Sequence, residues 1–292
     1  MIKPYFKRAG LAFATLVFAG HLNAQESDYA KGKWGEIHGN VQFDAQYYNP
    51  DSAIGAPAVP EEFLMNGYTN LIYTKGKFTA GLRYEGYYNV LQGFDKRYDG
   101  QGLPYRFASF DVDFLSITVG SFYEQFGSGM ILRAYEERGL GLDNFIDGAR
   151  VKSHILGGVY LKAVVGKQRY YFSHGEGLVR GFDAEISLNE TFKALNDKKA
   201  RLTLGGSFVS KYQKDENTDL ELPQNVGAWA ARFNFTHSGF GLSAEYVSKG
   251  QDPQATNQIL LSDGDLRPNY NIGDALLVTG TYSQKGLGIV AS

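Results

Sequence analysis

The chain offers little of what enzyme chemistry needs. It has five histidines and no cysteine in 292 residues, so disulfides, thiolate ligands and cysteine nucleophiles are excluded. Besides His21 near the N-terminus, His38, His154, His174 and His237 include no pair four apart that could grip a metal from one helix face. His38 shares a strand face with Asn40 and Asp44, but a lone histidine there is more often structural than part of a triad. Gly127-Ser128-Gly129 lacks the strand–turn–helix setting of a nucleophile elbow. The aspartates between Gly250 and Asp265 lack EF-hand spacing, and the sequon Asn189-Glu190-Thr191 means little in a bacterial turn. These absences predict a protein that is not an enzyme and carries no metal or cofactor.

The chemistry that is present is that of charges at every second residue. Asp44, Arg83, Glu85, Asp111, Asp113, Lys162, Asp183, Glu185, Arg201, Lys211, Arg232 and Glu245 all fall on strand faces opposite apolar ones. In a water-filled passage such charges tune selectivity. Paired with one another, they only hold the walls together, and the residues alone leave both readings open. The mixed signs favour neither cations nor anions.

One long loop differs from the others. Tyr123 to Phe145, YEQFGSGMILRAYEERGLGLDNF, is both apolar and charged. Its charges are Glu124, Arg133, Glu136, Glu137, Arg138 and Asp143, with Asp147, Arg150 and Lys152 just beyond. We expect residues 127–145 to fold back into the interior, where apolar side chains find cover and charges meet wall charges, narrowing or plugging the passage. The alternative is a structured loop docked on the rim. The expected lining or constriction set is Arg83, Glu85, Asp111, Glu124, Arg133, Glu136, Glu137, Arg138, Asp143, Asp147, Arg150, Asp183, Glu185, Arg201 and Arg232.

The elements that position these residues are strands. From Ile37 to Tyr48, Ile37, Gly39, Val41, Phe43, Ala45 and Tyr47 alternate with His38, Asn40, Gln42, Asp44, Gln46 and Tyr48. Phe78 to Asn89 does the same, and each run is long enough to cross a bilayer at a tilt. Further alternating runs bring the expected count to 12–13 strands. Short turns are expected at Lys75–Lys77, Asp113–Leu115, Ser153–Gly157, Asn189–Lys199, His237–Gly239 and Gln284–Gly286. Long loops are expected at Asn49–Leu64, Val90–Pro104, Gly127–Phe145, Lys167–Gly177, Tyr212–Asn225 and Gly250–Asn271. Sorting connections by length in this way is a habit of outer-membrane barrels, and a soluble β-sandwich has no reason for it. Tyr47, Tyr48, Tyr87, Tyr88, Tyr105, Tyr246 and Tyr282 stand near strand ends, as interfacial girdles would require.

The fold class expected is therefore all-β, a transmembrane antiparallel up-and-down barrel over residues 37–292. Residues 1–24 read as a signal peptide: Lys3, Lys7 and Arg8, an apolar run Ala9–Gly20, then Leu22-Asn23-Ala24. Residues 25–36 would be a periplasmic lead-in. Beyond residue 24 no run of eighteen apolar residues exists for a transmembrane helix. Without the leader, 26 basic residues face 31 acidic ones, a net of −5, which argues against a nucleic-acid partner. The expected surroundings are outer-membrane lipid and lipopolysaccharide, with small solutes as possible cargo. An odd count with a short last strand, Leu287–Ser292, predicts the N-terminal part of a longer barrel, with closure by oligomerisation as the alternative.

The segments Val119–Val151 (with GSFYEQFGSG from Gly120, Tyr135-Glu-Glu-Arg and Gly148-Ala-Arg-Val) and Val179–Glu185 resemble a family of uncharacterised outer-membrane barrels of Bacteroidetes-type bacteria. In a general way the inward loop is also similar to that of porins. The resemblance implies a barrel in the outer membrane and supplies no substrate or catalytic residue.

Overall fold

In the computed structural model, residues 34–56, 58–154, 157–214, 223–260 and 266–292 are described, with side chains omitted over 253–271. The expected signal peptide, residues 1–24, lies outside them, as does most of the lead-in 25–36. Thirteen strands form one sheet. They are β1 (Glu36–Tyr47), β2 (Phe63–Lys75), β3 (Phe78–Tyr88), β4 (Gly100–Val112), β5 (Leu115–Phe122), β6 (Ile146–Ser153) and β7 (Val159–Tyr170). The rest are β8 (Ser173–Ser187), β9 (Arg201–Tyr212), β10 (Asn225–His237), β11 (Phe240–Leu260), β12 (Leu266–Gln284) and β13 (Leu287–Ala291). Each pairs antiparallel with its sequence neighbour, so the topology is up-and-down throughout. β1 and β13 are the sheet's edges, and no ladder joins them among the described residues.

The sheet curls strongly. β3 and β7 are four strand steps apart, about 19 Å if the sheet were flat. Yet Glu85 of β3 and Arg169 of β7 meet at 2.6 Å, further round than their two side chains could reach across a flat sheet. The fold is thus barrel-like, with a concave inner face.

The burial pattern is inverted relative to a soluble protein. On β8, Phe182 is 48% exposed while its neighbour Asp183 is 1% exposed. Leu82, Phe110, Val165, Leu204, Phe208 and Trp229 also face outward, whereas Arg83, Glu85, Arg232 and Glu245 are buried inside. Large apolar side chains outside and charges inside reverse the usual order, and the thirteen strands form one sheet, not the two of a sandwich. Outward aromatics gather at both strand ends. Tyr47, Phe63, Tyr88 and Tyr170 lie at the long-loop ends, and Phe78, Phe114, Phe240 and Tyr282 at the short-turn ends. Two of the tyrosines expected in a girdle belong elsewhere. Tyr87 is buried inside and Tyr105 lies beneath Arg83, because both share strand parity with the inward residues.

Three expected loops are shorter than anticipated. Lys167–Gly177 is mostly ladder: β7 and β8 run to a two-residue turn at Tyr171-Phe172, with Tyr171 at φ 55°. Val90–Pro104 ends at Gly100, since β4 begins there and Pro104 sits in a register shift opposite Arg83–Glu85, where its missing N–H breaks no ladder bond. Gly250–Asn271 is largely a β11–β12 ladder with two register shifts. The turn over 188–200 holds a helical turn at Leu188–Thr191.

Candidate functional site

The segment between β5 and β6 lies on the concave face. Two two-residue ladders, Glu124–Gln125 with Arg133–Ala134 and Glu136–Glu137 with Leu142–Asp143, give it a backbone of its own. Phe126, fully buried, anchors it among Phe122, Ile146, Val164 and Val209. The anchor fits because β8 carries Gly181, where a Cβ would come within 2.7 Å of the Phe126 ring. The tip then reaches β11: the Ser128 N–H donates to Glu245 Oε2 at 2.7 Å. Gly127 permits that approach, since it sits at φ +53° and a Cβ there would lie 2.7 Å from both Glu245 oxygens. At the other end Arg138 Nη1 donates to Gln42 Oε1 of β1 at 2.7 Å and stacks on Tyr68. The segment therefore spans the interior from β1 to β11.

Beneath it lies a network of three arginines and three carboxylates. Arg83 Nε donates to Glu85 Oε1 at 2.6 Å, and its Nη atoms reach Glu136 at 3.0 Å and Asp143. Arg169 donates to both Glu85 oxygens, at 3.1 and 2.6 Å, and to Asp143 at 2.6 Å. Arg138 completes the set through Glu136 at 2.7 Å. Hydroxyls fill the remaining acceptor positions: Tyr87 donates to Glu85 at 3.0 Å and Tyr123 to Asp143 at 2.9 Å. The formal charges cancel. With Glu85 fully buried and Arg83 3% exposed, only such pairing makes burial tolerable.

Two smaller clusters flank it. Glu124 is met by Lys152 at 2.8 Å, Lys162 at 3.2 Å and Arg150 at 3.6 Å, an excess of positive charge. On the far wall Arg232 bonds Asp183 at 2.7 Å, Glu185 at 3.0 Å and Ser207 at 2.6 Å. Gly205, directly across the ladder from Arg232, lets that guanidinium lie flat: a Cβ there would be 2.7 Å from Arg232 Nε. At the rim, outside the strands, hydrogen bonds from the Arg97 side chain and backbone hold Asp95 well below the usual carboxylate range, and the Tyr171 hydroxyl adds to them.

A family model of unknown function, DUF6029, matches residues 6–292. The chain belongs to DUF6029. No curated protein matches it. Among solved structures it is similar to the crystal structure of a BenF-like porin from Pseudomonas fluorescens Pf-5. That likeness has 10% identity and a TM-score of 0.39, over 86% of this chain and 89% of the other. So loose a superposition leaves the fold to rest on this DUF6029 chain's own ladders and burial pattern.

The structure gathers Arg83, Glu85, Glu136, Arg138 and Asp143 into the central network, Glu124 and Arg150 into the basic cluster, and Asp183, Glu185 and Arg232 into the far-wall cluster. Others of the expected set stand apart. Arg133 is exposed and stacks on Tyr135, while exposed Glu137 caps the turn at Gly139. Asp111 and Arg201 are exposed near the short-turn ends. Asp147 is a correction: its neighbour Ile146 packs inward, so the two-residue period turns Asp147 outward to Arg106 at 3.2 Å and His174 at 2.9 Å. Arg169, central to the network, was missed because the sequence around it read as loop. Extending the alternation of Val159, Leu161, Ala163 and Val165 would place Arg169 on the outward face; the register shift between Lys167 and Arg169 is what turns it inward.

Proposed function

We propose that this DUF6029 chain is a porin-like outer-membrane barrel whose interior passes small hydrophilic solutes past a constriction built by residues 123–145. One observation carries the reading. Apolar side chains face outward between two rows of aromatics while charged side chains face inward, which is the arrangement lipid outside and water inside impose. A segment pinned from β1 to β11 is placed to set the bore, and the paired charges beneath it supply its polar lining. Nothing in this reading requires catalysis or a bound cofactor. The leader 1–24 would direct export, and lipid with lipopolysaccharide would be the barrel's surroundings.

A second reading draws on the same network. Its charges are buried and mutually neutralised, as a filled, non-conducting barrel that holds a protein partner would have them. Single-channel conductance in a planar bilayer separates the two, using the whole protein with and without residues 127–145. Steady conductance that rises on deletion supports the passage. Silence in both refutes it and leaves partner binding, to be sought by co-purification.

A further inference from the structure

The central network leaves one part of the inner wall unfilled. A cavity of about 240 Å3 lies against β8, β10 and β11, lined among others by Ser128, Glu185, Arg232, Asn234, Ser243 and Glu245. The ladder sets Arg232 opposite Glu245 and Asn234 opposite Ser243. Arg232 nevertheless turns the other way, to Asp183 and Glu185. Among the described residues Glu245 is thus left with a single bond, from the Ser128 N–H to Oε2. Its Oε1 has no partner, although the residue is only 5% exposed. A buried acceptor left without a donor is costly, and more so when charged.

Glu185 and Glu245 line it with one arginine, an excess of one negative charge. We propose that this cavity binds the ammonium group of a small organic cation, with Glu245 Oε1 accepting one of its N–H groups. An ammonium has three donors and no acceptor. The Asn234 amide and the Ser243 hydroxyl line the same space and supply neutral acceptors. Leu277, across the ladder from Glu245, also lines it and suits a short alkyl chain. A metal ion fits less well, because no cluster of three histidine or carboxylate ligands exists among the described residues. An anion would meet the excess of like charge. The site lies on the wall of the passage proposed above and rests on that reading for the route by which a solute arrives.

The test is calorimetric titration of the whole protein, refolded in detergent micelles, with n-butylammonium chloride and with sodium butyrate at matched ionic strength. We expect saturable binding of butylammonium and none of butyrate. Glu245→Gln should weaken that binding at least tenfold, and Ser243→Leu, which keeps the carboxylate but fills the space, should abolish it. If Glu245→Gln does not refold, as judged by heat-modifiable migration, Ser243→Leu carries the test. Absence of saturable binding in the parent protein, or binding unchanged in the refolded variants, overturns the proposal. Equilibrium binding needs no conduction. A protein that binds butylammonium but is silent in the bilayer refutes the passage alone, and one that conducts without binding refutes this site alone.

Discussion

Arg169 is the side chain whose loss should cost most. Its guanidinium makes three bonds to Glu85 and Asp143, and its Nε donates to the Tyr171 carbonyl at 2.6 Å. Arg169→Met keeps much of the aliphatic stem but removes the guanidinium, with its charge and its place over the Tyr98 and Phe145 rings. The network then passes from neutral to one excess negative charge around a fully buried Glu85. Breaking one side of a buried pair costs roughly 3–5 kcal/mol. Glu85 keeps Arg83 and Tyr87, so the lower end, about 3 kcal/mol, is expected. Glu85→Gln alone leaves the opposite imbalance and should cost a similar amount. The double variant is neutral again and should cost less than the sum, with a coupling of about 2 kcal/mol. The assay is reversible urea unfolding in phospholipid vesicles, read by tryptophan fluorescence, with Trp229 on the outer surface as reporter. Arg169→Met within 1 kcal/mol of the parent, or a strictly additive double variant, would refute the view that these charges depend on one another. Arg97→Met, which removes an exposed pair, should leave the midpoint unchanged.

Other perturbations probe other links in the chain of reasoning. Phe208 is 51% exposed on the outer face of β9, so Phe208→Arg should be about 2–4 kcal/mol less stable in vesicles than Phe208→Ala; equal stability would deny the lipid-facing surface. Gly127→Ala adds a Cβ at positive φ against the Glu245 carboxylate, with an expected cost of about 1–2 kcal/mol and faster hydrogen exchange at the Ser128 amide, which would otherwise stay protected. Gly205→Ala should push Arg232 off Glu185, seen as a shift of the Arg232 side-chain Nε–H resonance with little change at Arg83. The Asp95 carboxyl is held low by Arg97. Its contribution to tethering residues 94–99 is therefore present above the ordinary carboxylate pKa and lost as pH falls through the lower folded value. Amide exchange there, corrected for intrinsic rate, should be flat from pH 7 to about pH 4 and rise only below.

What was legible in the sequence was what depends on local periodicity. The two-residue period along Phe78–Tyr88 puts Leu82 and Arg83 on opposite faces without knowledge of any neighbour, and the structure turns Leu82 outward and Arg83 inward accordingly. Where a strand continued without an obvious turn residue, reading failed. Tyr171-Phe172 makes a tight turn with two aromatics, held not by turn chemistry but by packing of Phe172 on Tyr87 of β3 and of Tyr171 on Tyr98 of the β3–β4 loop. Gly175 and Gly177 nearby imitate loop composition while lying within β8, at the register shift opposite Lys167–Arg169. That misplaced hairpin is why Arg169 escaped notice.

Pairing across the interior is a different kind of information. Glu85 and Arg169 are 84 residues apart, and their meeting depends on how tightly the sheet curls, a property summed over every strand between them. The mixed character of residues 123–145 did reveal that this segment needs both apolar cover and ionic partners, because Phe126 and Arg138 are wasted in a solvated loop. It did not reveal where the partners lie. Asp147 shows how narrow the margin is: one residue from Ile146, it faces the opposite solvent. The division of labour around the wall follows from the same geometry. In the central network of β3, β7 and the inward segment, three arginines and three carboxylates neutralise one another. Glu245, whose cross-strand arginine is drawn away over Gly205, is left with an acceptor that has no partner among the described residues, and that is the acceptor the proposed ammonium would meet.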